Sequence, residues 1–414
     1  MRRLLLLLIV AGALWAAPGA LAAGWCGDGE SDVDRADATT GPQIHAIWVV
    51  PADGADTFAT GAAKLADDLA SIGSWWATQD PTRVPRVDTA VFPGGTCADI
   101  SFVRLTLPAS AYASMSADAA FNQVYYELGV SGFGNAYKKY LVYFDGRTGQ
   151  ANVCGSGAGA FANGPAYGVV WLAGCPSVPD DAVAAHELLH ALGALPAGAP
   201  HACPGDSAHP CDSTQDVLYP YSSDVPLAQL VLDVNHDDYY AHSGAWIDIQ
   251  DSPWLHRVCV GAVPLAVAIA GSGSVSSDLP GVFCSTACTT QWDSGSRVVL
   301  TPTPGPRARF VGWSSPCAGR PECSISLGAA ASVTATFGPQ RVPVRIGANG
   351  RGKVRCTPTC GKTFAAGDRL TLRAVPAKGW KFVRWTGDCA AVRGLTCRPK
   401  TDFHVTARAT FRKR

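Results

Sequence analysis

The chain has 414 residues, 47% hydrophobic and 16% charged, with 44 Gly and 29 Pro; this excludes a wholly disordered protein and a long charged coiled coil, and the length suits two or three domains. The formal net charge is zero, yet residues 24–257 carry 9 Lys+Arg against 27 Asp+Glu while residues 339–414 carry 18 against 3. Two differently charged modules therefore share one chain.

Met1-Arg2-Arg3, an apolar run over 4–10 and the small residues Ala20-Leu21-Ala22 read as a signal peptide over residues 1–22. The run is too short to span a bilayer and no later segment reaches about 18 unbroken apolar residues, so no transmembrane anchor is expected. The mature chain is expected to be secreted, extracellular or at the cell surface. Fifteen cysteines suit that oxidising compartment. Their spacing suggests the bridges Cys154–Cys175, Cys203–Cys211, Cys284–Cys288, Cys317–Cys323, Cys356–Cys360 and Cys389–Cys397, and leaves Cys26, Cys97 and Cys259 over.

In chain order, residues 43–50 form a β-branched apolar run, and 58–78 have helical spacing with Leu65, Leu69 and Ile72 on one side. Strands are expected at 86–92, 100–107, 140–144 and 167–172 and a helix at 117–128, with Gly73 and Gly129 as helix stops. This is an α/β layer arrangement. Residues 155–164, rich in Gly and Ala, read as a flexible loop.

Residues 180–193 carry the chemistry. Asp180 and Asp181 suit a helix N-terminus. On that helix His186 and His190 stand one turn apart on one face, so both imidazoles reach one zinc ion, and Glu187 beside them can act on a water. With 9 His and 4 Glu in the chain, chance predicts roughly 0.002 matches to this pattern, so composition does not account for it. A zinc hydrolase needs a third protein ligand and an open position. Gly193 lets the chain turn back toward the metal, and a Cys203–Cys211 bridge would make residues 200–212 a rigid hairpin. His201 is the leading third ligand, His209 the alternative, with Asp206 or Asp212 behind them.

His-Glu-x-x-His-x-x-Gly resembles the metzincin metalloproteases, whose pattern places the third ligand where this chain has Pro196. The stretch 216–221 resembles the turn that sets a methionine beneath the zinc in that family, with Leu218 at the methionine's position. The resemblance implies that Tyr219 or Tyr221 stabilises the transition state, and that strand 167–172 is the edge on which an extended peptide lies. Asp233-Val234-Asn235-His236-Asp237-Asp238 sets oxygen ligands at alternate positions like the start of a calcium loop, but lacks that loop's glycine and glutamate. A solvated acidic cluster is the expected reading, with Ca2+ as the lesser one.

Beyond residue 260, Cys284, Cys288, Phe310, Trp313 and Cys317 recur 72 residues later as Cys356, Cys360, Phe382, Trp385 and Cys389. The tail is thus a tandem repeat of two small β units needing staples. It resembles the divergent repeats named after the internalin B-repeat of bacterial surface proteins.

These readings combine into a signal peptide (1–22), an α/β (α+β) metzincin-like catalytic domain with a mixed sheet and an active-site helix (23–258), and two all-β repeats (259–338 and a basic 339–414). The expected function is a secreted zinc endopeptidase hydrolysing peptide bonds through a zinc-activated water, with Glu187 as general base. The alternatives are a cell-surface adhesin with a structural or vestigial zinc site, and a zinc amidase acting on peptidoglycan. Expected partners are a protein or peptide substrate and an acidic cell-wall or envelope polymer held by the basic repeat. No nucleic acid is expected.

Overall fold

The computed structural model describes residues 24–27, 29–157, 164–221, 224–258 and 260–414, so the expected signal peptide and Cys259 lie outside the described residues. The chain is mostly β with few helices and divides into two units, Met1–Val260 and Gly261–Arg414. Among the described residues no helix is long and apolar enough to cross a membrane.

In the first unit, strand β1 (Gln43–Val50) is buried at every position. A strand apolar on both faces needs cover on both. It lies inside a five-stranded sheet with β2 (Ile100–Arg104), β3 (Lys138–Phe144), β4 (Gly155–Gly157) and β5 (Ala166–Trp171), in the order β2-β1-β3-β5-β4. All neighbours run parallel except β4, which is antiparallel to β5. The three long helices are α1 (Phe58–Gln79), α2 (Ala117–Val130) and α3 (Asp180–Leu192). Trp48, Leu141 and Tyr143 of the sheet share a core with Leu65 and Leu69 of α1 and Leu188 and Leu189 of α3. Ile47, Val142 and Val169 share the opposite core with Val124 and Leu128 of α2.

Several expectations need correction. Helix α1 continues through Gly73 to Gln79, because Trp75 and Trp76 beyond the expected stop are both buried; burying two indoles outweighs the ~1 kcal/mol cost of one helical glycine. Gly129 likewise lies inside α2. Of the expected strand 86–92 only Thr89–Phe92 is one, paired with Gly95–Ala98, while a separate strand before it, Arg83–Pro85, pairs with Leu255–Arg257. Asp88 between them is fully buried and bound by side chains from the sheet. Residues 155–157 are a strand rather than a loop, and β5 is consequently flanked on both sides.

Asp88 belongs to a buried polar network under the sheet. Lys138, 1% exposed, places Nζ 2.6 Å from carboxylate oxygens of Asp34, Asp37 and Asp88. His45 joins Asp88 through Nδ1 at 2.7 Å and Ser101 through Nε2 at 3.0 Å. Arg35 reaches Asp99 at 2.6 Å. Cys26 is bridged to Cys97, two of the three cysteines that spacing alone did not pair. The segment ahead of β1 is thereby tied to the sheet at several points. The other six expected disulfides are all present.

Each repeat of the second unit packs two small sheets around an aromatic core. In the first, β6 (Ala262–Ala270), β7 (Ala308–Trp313) and β8 (Ala331–Pro339) belong to one sheet, with β6 parallel to β8 and β7 antiparallel to it. In the second, β9 (Arg341–Asn349), β10 (Trp380–Gly387) and β11 (Val405–Lys413) repeat that arrangement. Trp313 and Phe337 fill the first core, Trp385 and Phe411 the second. Even the register shift recurs, between Phe310 and Gly312 and between Phe382 and Arg384.

Lys138→Ala leaves three carboxylates without their shared cation and should destabilise the first unit by about 3–5 kcal/mol in urea unfolding at pH 7. Burial already holds the Asp34 and Asp88 carboxyls above their usual range. A carboxyl whose folded pKa exceeds its unfolded one regains stability as pH falls, so the deficit should shrink toward pH 5. A deficit below about 1 kcal/mol, or one that does not change with pH, would contradict this account.

Candidate metal centre

Helix α3 starts with Asp180 and Asp181 in its first turn and ends at Gly193, whose φ of 94° lets the backbone N–H groups of Gly193 and Ala194 cap the carbonyls of His190 and Leu189. Asp181 accepts a hydrogen bond from Ser71 of α1 at 2.6 Å, and Lys64 pairs with Asp180 at 3.0 Å, which fixes the helix start. Ala184, Ala185, Leu188, Leu189 and Leu192 bury one side. His186 and His190 point out of the adjacent side.

After Gly193 the chain folds into a hairpin of Ala202–Cys203 against Asp206–Pro210, closed by the Cys203–Cys211 bridge. This hairpin carries His209 to the helix. The Nε2 atoms of His186, His190 and His209 lie 3.1, 3.1 and 3.2 Å apart pairwise. Three nitrogens bound tetrahedrally to zinc at ~2.0–2.1 Å stand roughly 3.3–3.4 Å apart, so the arrangement fits such an ion. His186 Nδ1 lies 2.7 Å from the Val217 carbonyl and His209 Nδ1 lies 2.9 Å from Asp206. A proton on each Nδ1 leaves the Nε2 lone pair facing the centre.

His201, the leading third position in the sequence, is elsewhere. Its ring meets Asp238 at 3.1 Å and its backbone N–H donates to the same carboxylate at 2.8 Å. Both histidines lie on the hairpin, but only His209 faces α3. Asp206 buttresses His209, and Asp212 lies beside His201 with Asp237 and Asp238.

Glu187 is 5% exposed, and its Oε2 has no hydrogen-bond partner among the described residues. Three glycines make its place. A Cβ on Gly155 would fall onto the Glu187 carboxylate, one on Gly157 onto the His190 Cβ, and one on Gly168 would lie 2.6 Å from the Glu187 carbonyl oxygen. Gly157 and Gly168 are cross-strand partners in β4 and β5. Sequence reading missed these three; the available signal was the spacing Gly155-Ser156-Gly157, which puts two glycines on one face of any strand. The Cys154–Cys175 bridge anchors β4 where it begins.

Burial lowers the His186 pKa to about 4, with neighbouring His209 adding to the effect and the Val217 carbonyl partly opposing it. Burial, then His186 and His209, hold His190 well below the ordinary value. Burial also lifts the Glu187 carboxyl well above the carboxylate range. The site thus favours neutral imidazoles with free lone pairs. For Asp206 burial pushes upward, but the bond and charge of His209, the Ala208 N–H and His186 together outweigh it and keep the carboxyl low.

The turn after the hairpin supports the centre from behind. Leu218 is fully buried in the core that includes α3. Asp216, 2% exposed, accepts N–H groups from Leu218 at 2.7 Å and Val234 at 3.0 Å and the Tyr239 hydroxyl at 2.8 Å. Tyr221 is exposed and, with His186, Glu187 and His209, lines a solvent-open cleft of about 510 Å³. Tyr219 lines a smaller neighbouring pocket with His186 and Val183. The acidic segment 233–238 is not a solvated cluster as expected: Asp233 and Asp238 are fully buried, and Asp233 accepts the N–H groups of Tyr239 and Tyr240 at 2.8 and 2.5 Å. These carboxylates organise a loop, which corrects the solvated reading at Asp233 and Asp238, while Asp237 and Asp238 stand with His201 and Asp212 in a group that could hold a metal ion.

Residues 263–341 and 342–413 match the family model of the divergent InlB B-repeat domain, so two such repeats form the tail. No curated protein matches the chain. Among solved structures, metalloproteinase-II from Bacteroides fragilis shares 16% identity over 48% of this chain and 50% of that one, at a TM-score of 0.25. This chain therefore spans half of that protein's length. OgpA from Akkermansia muciniphila shares 11% identity over 84% of this chain and 94% of that one, at a TM-score of 0.25. The major pilin protein T-13 from Streptococcus pyogenes shares 7% identity over 37% of this chain and 98% of its own, at 0.16. Likenesses this weak assign neither fold nor function.

Gly155→Ala should cost about 1–3 kcal/mol in urea unfolding, because its methyl group meets Glu187. Ser156→Ala, which removes only the oxygen bonded by Trp171 Nε1 at 3.0 Å, should cost about 1 kcal/mol or less. Equal stability of Gly155→Ala and the parent would show that α3 does not depend on the close approach.

Proposed function

We propose that the first unit is a secreted zinc-dependent endopeptidase of metzincin type. The observation that carries this reading is the convergence of three Nε2 atoms beside a buried carboxylate oxygen without a partner among the described residues, all facing an open cleft. His186, His190 and His209 would hold the metal. When bound, zinc supplies Lewis acidity toward a scissile carbonyl and a water. Glu187 takes the proton of the attacking water and returns it to the leaving amine. Its burial, which favours the protonated carboxyl, suits it to carry that proton between the two steps. Strand β5, the expected edge, is paired on both sides, and among the described residues β4 is the edge strand next to it, so an extended peptide would add to β4 through main-chain hydrogen bonds. Tyr221 stands in the same cleft and would donate its hydroxyl to the developing oxyanion.

A structural or vestigial zinc site would call for a fourth protein ligand. The residue best placed in the sequence to supply it, His201, is engaged by Asp238, which favours the catalytic reading over the adhesin.

Glu187→Gln should abolish cleavage of unfolded casein while about one zinc per chain remains. Loss of zinc together with activity would make Glu187 a ligand and refute its role as proton carrier.

His209→Ala should release zinc far more readily than His201→Ala in a chelator titration, since a ligand outranks a residue outside the coordination shell, whose loss typically costs about 10–100-fold at most. The reverse ranking would return the third position to His201.

A further inference from the structure

The two repeats share one scaffold but differ in what one face of it displays. In β11, Val405, Ala407, Ala409 and Phe411 point inward. Thr406, Arg408, Thr410 and Arg412 therefore point outward, because side chains alternate along a strand. The ladder sets Arg345 opposite Thr406, Gly347 opposite Arg408 and Arg384 opposite Thr410. Arg408 lies across Gly347, where a Cβ would come 3.3 Å from its Nε.

The first repeat has the same registers with neutral residues. Ala266 lies opposite Ser332, Ala268 opposite Thr334 and Gly312 opposite Thr336. Arg345, Arg384 and Arg408 thus stand where the first repeat has Ala266, Gly312 and Thr334. The first repeat folds around an equivalent core without these cations, so the fold does not require them.

The charge is also uncompensated. Residues 339–414 contain three carboxylates. Asp368 accepts the Ala365 N–H at 3.0 Å, Asp388 accepts the Thr406 N–H at 2.6 Å, and Asp402 pairs with Arg307 at 2.9 Å. None of them neutralises the arginines of this face. The other sheet of the repeat presents fewer cations, Lys353, Arg355 and Arg373.

We infer that the outer face of β9, β10 and β11 binds an extended acidic polysaccharide. Arg345, Arg408 and Arg384 fall on successive same-face rows of adjacent strands, so they form a diagonal line of cations with steps of roughly 8 Å, set by the strand separation of ~4.8 Å and the same-face repeat of ~6.7 Å. Threonine hydroxyls interleaved among them match a polymer that bears both anionic groups and hydroxyls. No aromatic side chain stands among these outward positions to stack on bases, as single-stranded nucleic acid requires. The strand Thr363–Ala365 pairs with the free side of β9, and four strands side by side are roughly 15 Å across, too broad to enter a DNA major groove of about 12 Å. This inference does not rest on the peptidase reading.

The test uses the full chain and polygalacturonate in a binding titration at low ionic strength, with dextran, duplex DNA and phosphatidylglycerol vesicles as comparison probes. Polygalacturonate should bind and dextran should not, and the complex should dissociate toward 1 M salt, where screening shortens to about 3 Å. R345A/R384S/R408T, which approaches the surface of the first repeat, should weaken binding at least tenfold. K353S/R355S/R373S removes the same charge from the other sheet and should change affinity less than threefold. Equal losses from the two triple variants would show that net charge rather than this face binds. Equal or tighter binding of DNA or vesicles would overturn the polysaccharide assignment. Circular dichroism matching the parent confirms folding of each variant, and A266R/T334R in the first repeat should strengthen binding independently.

Discussion

Helix α3 lies on the sheet more closely than side chains there would permit. Gly155, Gly157 and Gly168 each face Glu187 or His190, and a Cβ at any of them would collide with the helix. That approach puts Glu187 under cover, with one oxygen unpaired among the described residues and its carboxyl pushed toward the protonated form. It also holds the helix where the hairpin bearing His209 meets it. Bulk at the three glycines would act on the pair Glu187 and His190 before it acted on the rest of the fold.

The polar network around Lys138 has a different role. Burying one lysine with three carboxylates and a histidine is expensive unless every partner is present. Its members come from the segment before β1 (Asp34, Asp37), from β1 and β3 (His45, Lys138) and from the connection near Asp88. The network therefore acts as a consistency check: the leading segment is seated only when the sheet is in register. Disulfide Cys26–Cys97 restrains the same segment covalently.

What could be read from the sequence was what depends on local period or on a short motif. The helix bearing His186 and His190, the run 43–50 and the tandem repeat all have signals within a few turns or a fixed offset. The strand 155–157 carries no such signal, since glycine lacks both propensity and periodicity; it exists because Cys154–Cys175 and β5 hold it. The third imidazole posed a different problem. His201 and His209 occupy the same stapled hairpin, and choosing between them required knowing that Asp238, 37 residues beyond His201, comes back to claim it. Likewise Asp216 and Asp233 look like surface acids in the sequence and are buried receivers of backbone N–H groups in the structure. Long-range partners of this kind leave no trace in hydrophobic pattern.

The hairpin closed by Cys203 and Cys211 has two strands of 2 and 5 residues. An isolated ladder that short is marginal in water. The geometry of the third imidazole is therefore a property of the oxidised chain. While the thiols are reduced, α3 can already present His186 and His190, but the loop bearing His209 samples many conformations at an entropic cost to any ion it helps to hold. Bridge formation removes that cost in advance, so assembly of the nitrogen triad follows the redox history of the polypeptide.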